Sequence, residues 1–324
     1  MNRLPNKMSK AKIKLIEVPS DLAGAKSGAS MGINALKLSS LHDGSKYFED
    51  FPSVVIQDEN RAVYDGTPHT CAKYIDKVAL VIERVAEEVK KTKEQALFPI
   101  VMAGDHSTCA GTMLGLKMAY PHDRIGVVYI DAHADFHTPF TSPSGNMHGM
   151  PLAIATDLDN QEVAIQTPSV AERAHWDALK SLAGTRAIDP RDIVFCALRD
   201  YEPAEAHLLE QYGIKNYSTS KITYEGVKKV VENIFEDLAH CDHIYVSFDV
   251  DSIDPLYIPG TGTPSDGGIS FEQALQLNME LIKNPKVCCW ESAEINPILD
   301  KQNISGKYSF VILDEVTKSL IENY

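Results

Sequence analysis

Short apolar runs alternate along this chain with longer stretches in which apolar residues recur every three or four positions. Ile13 to Val18, Pro99 to Met102, Ile125 to Ile130, Asp192 to Leu198, His243 to Phe248 and Val287 to Trp290 read as buried strands. Helical spacing falls between them, at Ser107 to Ala119, Pro203 to Tyr212, Tyr224 to His240 and Ser270 to Lys283. The clearest case is Thr70 to Gln95, where Ile75, Val78, Ile82, Val85 and Val89 form one stripe with charges between them. Apolar strands each followed by a helix predict an α/β fold whose mainly parallel sheet is covered on both faces. Asp157 to Arg191, with Pro168 and Trp176, reads as a longer helical excursion without evident chemistry. Gly24, Gly28 and Gly32 read as a loop, since their spacing does not fit a dinucleotide-binding G-x-G-x-x-G turn. No repeat, low-complexity tract or composition shift marks a linker, so residues 1–324 read as a single domain.

Polar residues gather where these strands stop. Asp131-Ala-His133-Ala-Asp135 follows Ile130; Asp249 and Asp251, with Asp254 beyond, follow Phe248; Gly104-Asp105-His106 follows Met102. Any one of these is commonly a turn or a helix cap. Together they occupy one topological place, the carboxyl ends of buried strands, where open α/β sheets bind ligands. So many carboxylates at one edge would repel one another unless cations lay between them. A multinuclear metal site follows.

Composition narrows the class. With 44% hydrophobic and 23% charged residues in 324, usage is that of an ordinary globular chain able to bury a sizeable core. A formal charge of −14 and a pI near 5.2 argue against nucleic acid and anionic membranes as partners, since both attract basic patches. The six cysteines make no C-x-x-C pair and mostly lie in apolar stretches, which points to a reducing compartment. Met1 to Lys14 is basic without the roughly 7–15-residue apolar core of a signal peptide, and no segment reaches the roughly 18 apolar residues of a membrane span. A cytoplasmic protein is expected.

The ordered motifs carry a resemblance over nearly the whole chain. Gly-Asp-His-Ser (104–107), Asp-Ala-His-Ala-Asp (131–135), Ser-Gly-Asn-Met-His-Gly (144–149), Ser-Phe-Asp-Val-Asp-Ser-Ile-Asp-Pro (247–255), Thr-Gly-Thr-Pro (261–264) and Glu-Ile-Asn-Pro (294–297) resemble the ureohydrolase family, which includes arginases, agmatinases and formimidoylglutamases, and within it the arginases. The resemblance implies a three-layer α/β/α arginase-like fold, a homotrimer or homohexamer, and two Mn²⁺ ions per subunit, with other divalent metals such as Co²⁺ as substitutes. It implies that His106, Asp131, Asp135 and Asp249 hold one ion and His133, Asp131, Asp249 and Asp251 the other, Asp131 and Asp249 bridging.

Two divalent ions sharing carboxylates can bridge one water and acidify it into hydroxide near neutral pH. A guanidinium is cationic and resonance-stabilised, so its cleavage requires such a nucleophile, close orientation and a proton for the departing amine. By resemblance Glu294 clamps the guanidinium, a planar fork suited to a carboxylate, His148 shuttles protons, Asp135 passes one to the leaving nitrogen, and Thr263 forms active-site wall. The expected substrate is a small guanidino compound: L-arginine, hydrolysed to L-ornithine and urea. Agmatine, guanidinobutyrate or formimidoylglutamate are the close alternatives, and a catalytically silent scaffold the distant one. The amino-acid end departs from the pattern. His137 stands where arginases carry the asparagine that meets the α-carboxylate, while Ser144 and Asn146 keep the carboxylate-binding pattern. In Asp200-Tyr-Glu202-Pro-Ala-Glu205, Glu202 replaces the aspartate that meets the α-amino group and Glu205 keeps the following acid.

Overall fold

A computed structural model describes residues 10–323; the first nine residues of the basic N-terminal stretch, and Tyr324, lie outside the described residues. The apolar runs form strands β1 (Ile13–Val18), β3 (Phe98–Ala103), β4 (Ile125–Ile130), β5 (Ile193–Cys196), β7 (His243–Asp249) and β8 (Val287–Ala293), with short edge strands β2 (Ser53–Val55) and β6 (Lys215–Tyr217). All pairings are parallel, in the order β2-β1-β3-β8-β7-β4-β5-β6. The last two long strands insert between β3 and β4. Four neighbouring strands therefore end side by side, and their following loops converge although they are far apart in the chain.

Helices cover both faces: α1 (Gly32–His42), α2 (Tyr47–Asp50), α3 (Ile75–Glu94), α4 (Cys109–Ala119), α5 (Pro151–Thr156), α6 (Val170–Ser181), α7 (Pro203–Tyr212), α8 (Thr219–Glu225), α9 (Val227–Asp237), α10 (Phe271–Leu281) and α11 (Ile304–Asn323). Strand alternation builds two cores. Ile16, Val18, Val127 and Tyr129 pack with α3, α4 and α5 on one face, while Leu15, Val128, Ile130 and Val246 pack with α9, α10 and α11 on the other. The three-layer α/β/α fold expected from the motifs is the fold observed.

The departures from expectation have local causes. Helix α3 starts at Ile75 rather than Thr70, because Tyr74 is left-handed (φ 56°) and Glu172 of α6 accepts from the amides of Cys71 and Ala72, holding them in a turn. Gly226 (φ 82°) splits the expected Tyr224 to His240 helix into α8 and α9. Of Asp157 to Arg191 only α6 is a regular α-helix, beginning after Pro168 at a Ser169–Glu172 capping box; Trp176 is buried there with its indole N–H on Asp159. Gly32 belongs to α1 rather than to the preceding loop, since its Cα packs against the Ile295 backbone, which a Cβ would meet at 2.4 Å.

Candidate metal centre

Strand ends build the site. Gly104 lets the β3 end pass under Ser20, whose carbonyl a Cβ would meet at 2.0 Å. The chain then turns through Asp105, which caps the amide of Ser107, and buries His106. The β4 end brings Asp131, His133 and Asp135, and the β7 end Asp249 and Asp251. The β8 end brings Glu294, whose amide donates to the carbonyl of Gly104. Asp135 (φ 49°) and Glu294 (φ 66°) both hold left-handed backbone, a strain of about 1–3 kcal/mol each that recurs at functional sites.

His106 Nδ1 lies 3.0 Å from Asp131, 3.1 Å from Asp135 and 3.1 Å from Asp249, and His133 Nδ1 lies 2.9 Å from Asp251 and 3.6 Å from Asp131. Two ligand groups result, His106/Asp131/Asp249 and Asp131/His133/Asp251, and Asp131 belongs to both. The donor set fits divalent cations. Asp131 Oδ2 is fully buried with His106 Nδ1 3.0 Å away but not aligned for a hydrogen bond, a costly state for a carboxylate that a cation between the two would relieve. Burial, with Asp251 close by, raises the carboxyls of Asp131 and Asp249 well above the usual range. For Asp251 burial acts the same way, but the neighbouring His133 overrides it and holds the carboxyl below that range. His106 Nε2 is 2.8 Å from Ser247 Oγ, which leaves Nδ1 as the ligating nitrogen.

A cavity of about 270 Å³ opens onto this cluster, lined by His106, His133, Asp135, Asp249 and Asp251 and, beyond them, by His137, His148, Asp200, Glu202, Glu205 and Thr263. His137 Nε2 lies 3.5 Å from both Glu202 and Glu205, and burial lowers its basicity. Glu205 accepts from the amides of Phe136 (3.0 Å) and Glu202 (2.9 Å), tying the His133–His137 loop to the start of α7. Thr263 Oγ donates to Asp251 at 3.3 Å, and Asp200, largely exposed, is 3.7 Å from His133. His148 Nδ1 is 3.4 Å from Glu294. Burial opposes charge on His148, but Glu294 outweighs it and the imidazole is pushed up to about 9. Three expected residues are not among those lining the cavity: Glu294 is buried with Oε1 against the wall residue His148, Ser144 is exposed on its loop, and Asn146 lines a separate cleft.

Three further residues support the cluster. The Tyr129 hydroxyl donates to Asp135 at 2.8 Å, and Ser247 orients His106. Both precede a ligand by two positions, so the strand period of two places them on the ligand's side. Arg199 donates to the carbonyls of Ala197, Asp251, Ser252, Ser265 and Asp266, clamping the ligand loop to the Thr263 loop. No sequence pattern announces it. A third group, Asp192, His240 and Cys241, lies at the other end of the sheet, where Arg124 pairs with both oxygens of Asp192 and supplies the cation.

Fold and site together define a metal-dependent α/β/α enzyme with two ligand sets joined by a shared aspartate. The chain belongs to the arginase family, whose model matches residues 11–317, and is accordingly a metal-dependent amidinohydrolase. It is 33% identical over 310 residues to the arginase of Bacillus subtilis (strain 168), covering 94% of this chain and 97% of that one. The solved arginase of Entamoeba histolytica in complex with L-ornithine superposes with a TM-score of 0.80 at 29% identity, covering 94% of this chain and 98% of that one. A hypothetical agmatinase from Burkholderia thailandensis shares the fold, with a TM-score of 0.69 at 20% identity over 96% of this chain and 86% of that one. Among the described residues no helix is long and apolar enough to cross a membrane.

Proposed function

We propose that this chain hydrolyses L-arginine to L-ornithine and urea with two Mn²⁺ ions per subunit, working as a cytoplasmic homotrimer or homohexamer. The observation that carries the reading is the cavity itself, whose lining joins the buried ligand acids Asp135, Asp249 and Asp251 to further acids, Glu202 and Glu205 at the start of α7 and Asp200 beside His133. Arginine is cationic at both its guanidinium and its α-amino group, and a cavity lined by acids beyond the ligand set matches that pattern. In this reading His106, Asp131, Asp135 and Asp249 hold one ion, and His133, Asp131, Asp249 and Asp251 the other. When bound, the pair supplies Lewis acidity that makes water nucleophilic near neutral pH. Oxygen-rich ligation suits manganese.

The remaining work falls to the chain. Glu294 Oε1 is occupied by the amide of His106 (2.9 Å) and by His148, so Oε2 is assigned to the guanidinium. With Nδ1–H turned to Glu294, His148 keeps Nε2 to take up and release a proton. Asp135, on the cavity wall, hands a proton to the leaving nitrogen. Glu202 and Glu205 orient the amino end, with His137 between them and the carboxylate.

Release by manganese-loaded protein of urea from arginine, agmatine and guanidinobutyrate, and of formamide from formimidoylglutamate, tests the proposal. Preference for arginine is expected. Preference for another compound moves the substrate within the same chemistry, with His137 and Glu202 as the positions that would account for it. No urea or equivalent product from any of them overturns the catalytic reading.

A further inference from the structure

We propose that Glu291 is a positioning residue for the metal centre, holding His106 toward its ion from behind through Tyr245 and Ser247; the inference rests on the metal reading above and not on which amidine is cleaved. Glu291 stands in the middle of β8 as the one charged side chain of Val-Cys-Cys-Trp-Glu-Ser-Ala, and it is fully buried. It is not among the residues that line the catalytic cavity. Strand register brings it to the rear of the site. Ser247 of β7 is its partner across the parallel pair, and Tyr245, two residues earlier, shares the face of Ser247.

The polar contacts run one way. With Nδ1 on the ion, the Nε2–H of His106 donates to Ser247 Oγ at 2.8 Å, which frees the serine proton for Tyr245, and the Tyr245 hydroxyl donates to Glu291 Oε2 at 2.7 Å. Burial raises the phenol of Tyr245 well above its usual range and Glu291 adds to this, while the Ser247 hydroxyl acts the other way, as a donor to the phenol oxygen does. Tyr245 therefore keeps its proton and points it at Glu291. Glu291 Oε1 is fully buried without a well-formed hydrogen bond, and among the described residues no lysine or arginine makes an ion pair with this carboxylate. Burial raises the carboxyl above its usual range, and Thr112, Tyr245 and the positive charge of His106 oppose that rise. A divalent ion on His106 adds positive charge at the far end of the chain, where the aligned dipoles of the two hydroxyls favour it. A carboxylate acting on a ligating imidazole, here relayed by Tyr245 and Ser247, fixes the ring and makes the ligand more basic.

Metal affinity and metal-free stability should move in opposite directions. In Glu291→Gln, which keeps the shape and removes the charge, calorimetric titration with Mn²⁺ alone is expected to show affinity reduced by roughly 10–100-fold. Thermal unfolding of the same variant in chelator should give a Tm equal to or above that of wild type, because a buried amide costs less than a buried carboxylate. A residue that only packed the core would lower both. Tyr245→Phe cuts the chain but leaves the carboxylate, so it should weaken manganese binding similarly while lowering the metal-free Tm, and adding Glu291→Gln to it should cost little further affinity. Wild-type affinity in either single variant overturns the proposal. So does a Glu291→Gln protein that fails to fold or whose metal-free Tm falls with its affinity, since the carboxylate would then serve the fold itself. Wild type that binds no manganese would instead overturn the metal reading on which the inference rests.

Discussion

The hydroxyl of Tyr129, buried at the end of β4, donates a 2.8 Å hydrogen bond to Asp135 Oδ2. Asp135 sits on a left-handed backbone, so its carboxylate is aimed by that bond as well as by strain. Tyr129→Phe keeps the ring that stacks on His106 and removes the bond. Affinity for divalent metal is expected to fall by roughly 10–100-fold with the fold retained. Competition titration with a metal-binding dye reads it, and an affinity equal to wild type would reduce Tyr129 to core packing.

The shared position of Asp131 predicts coupled loss of metal. Manganese-loaded wild type should hold about two ions per chain, and Asp131→Asn or Asp249→Asn should deplete both sites together. Elemental analysis after gel filtration measures this. One retained ion in either variant would show that the sites are independent.

His148→Ala is expected to lower kcat by on the order of 10² to 10⁴ and to move KM little, because a proton carrier acts in the transition state. Steady-state kinetics on arginine at several pH values provides the check. Unaltered kcat removes His148 from the reaction.

Metal-free protein should lose stability as pH rises. Burial pushes Glu205 up to about 7 in spite of its two amide donors, against an ordinary 4.5. The folded chain therefore keeps a proton that the unfolded chain releases, so this contribution is whole below pH 4.5 and is lost on passing 7. His148, pushed up to about 9, acts in the same direction above the usual histidine value. Urea unfolding in chelator at pH 5 and pH 8 should show a decline on the order of 1–3 kcal/mol per group, smaller in Glu205→Gln. Equal slopes in wild type and variant would count against Glu205 as a source.

How much of this was legible in the sequence depended on the range of the interaction. Strands β1, β4 and the helix Pro203–Tyr212 could be bounded to the residue because apolar runs, prolines and caps are local signals. The edge strands β2 and β6 could not, since three-residue strands paired on one side and partly exposed give too short a pattern to separate from a loop, Val54-Val55 in β2 and Lys215-Asn216 in β6 having opposite character. Likewise Tyr74 breaks a helical stripe through its backbone angle, which periodicity does not report.

The candidate site divides the same way. Strand ends marked His106, Asp131, His133, Asp135, Asp249 and Asp251 together with Asp105 and Asp254, which the structure uses to cap the amides of Ser107 and of Leu256, Gly267 and Gly268; the resemblance to the arginases separated the two groups. Only the insertion of β7 and β8 between β3 and β4 brought those ends together, and only tertiary packing set Tyr245 against Glu291, Arg199 across two loops and Glu294 against His148. Local chemistry can nominate a ligand by its type. Which distant groups surround it is decided by sheet order and loop packing, through contacts between segments that no short stretch of sequence encodes.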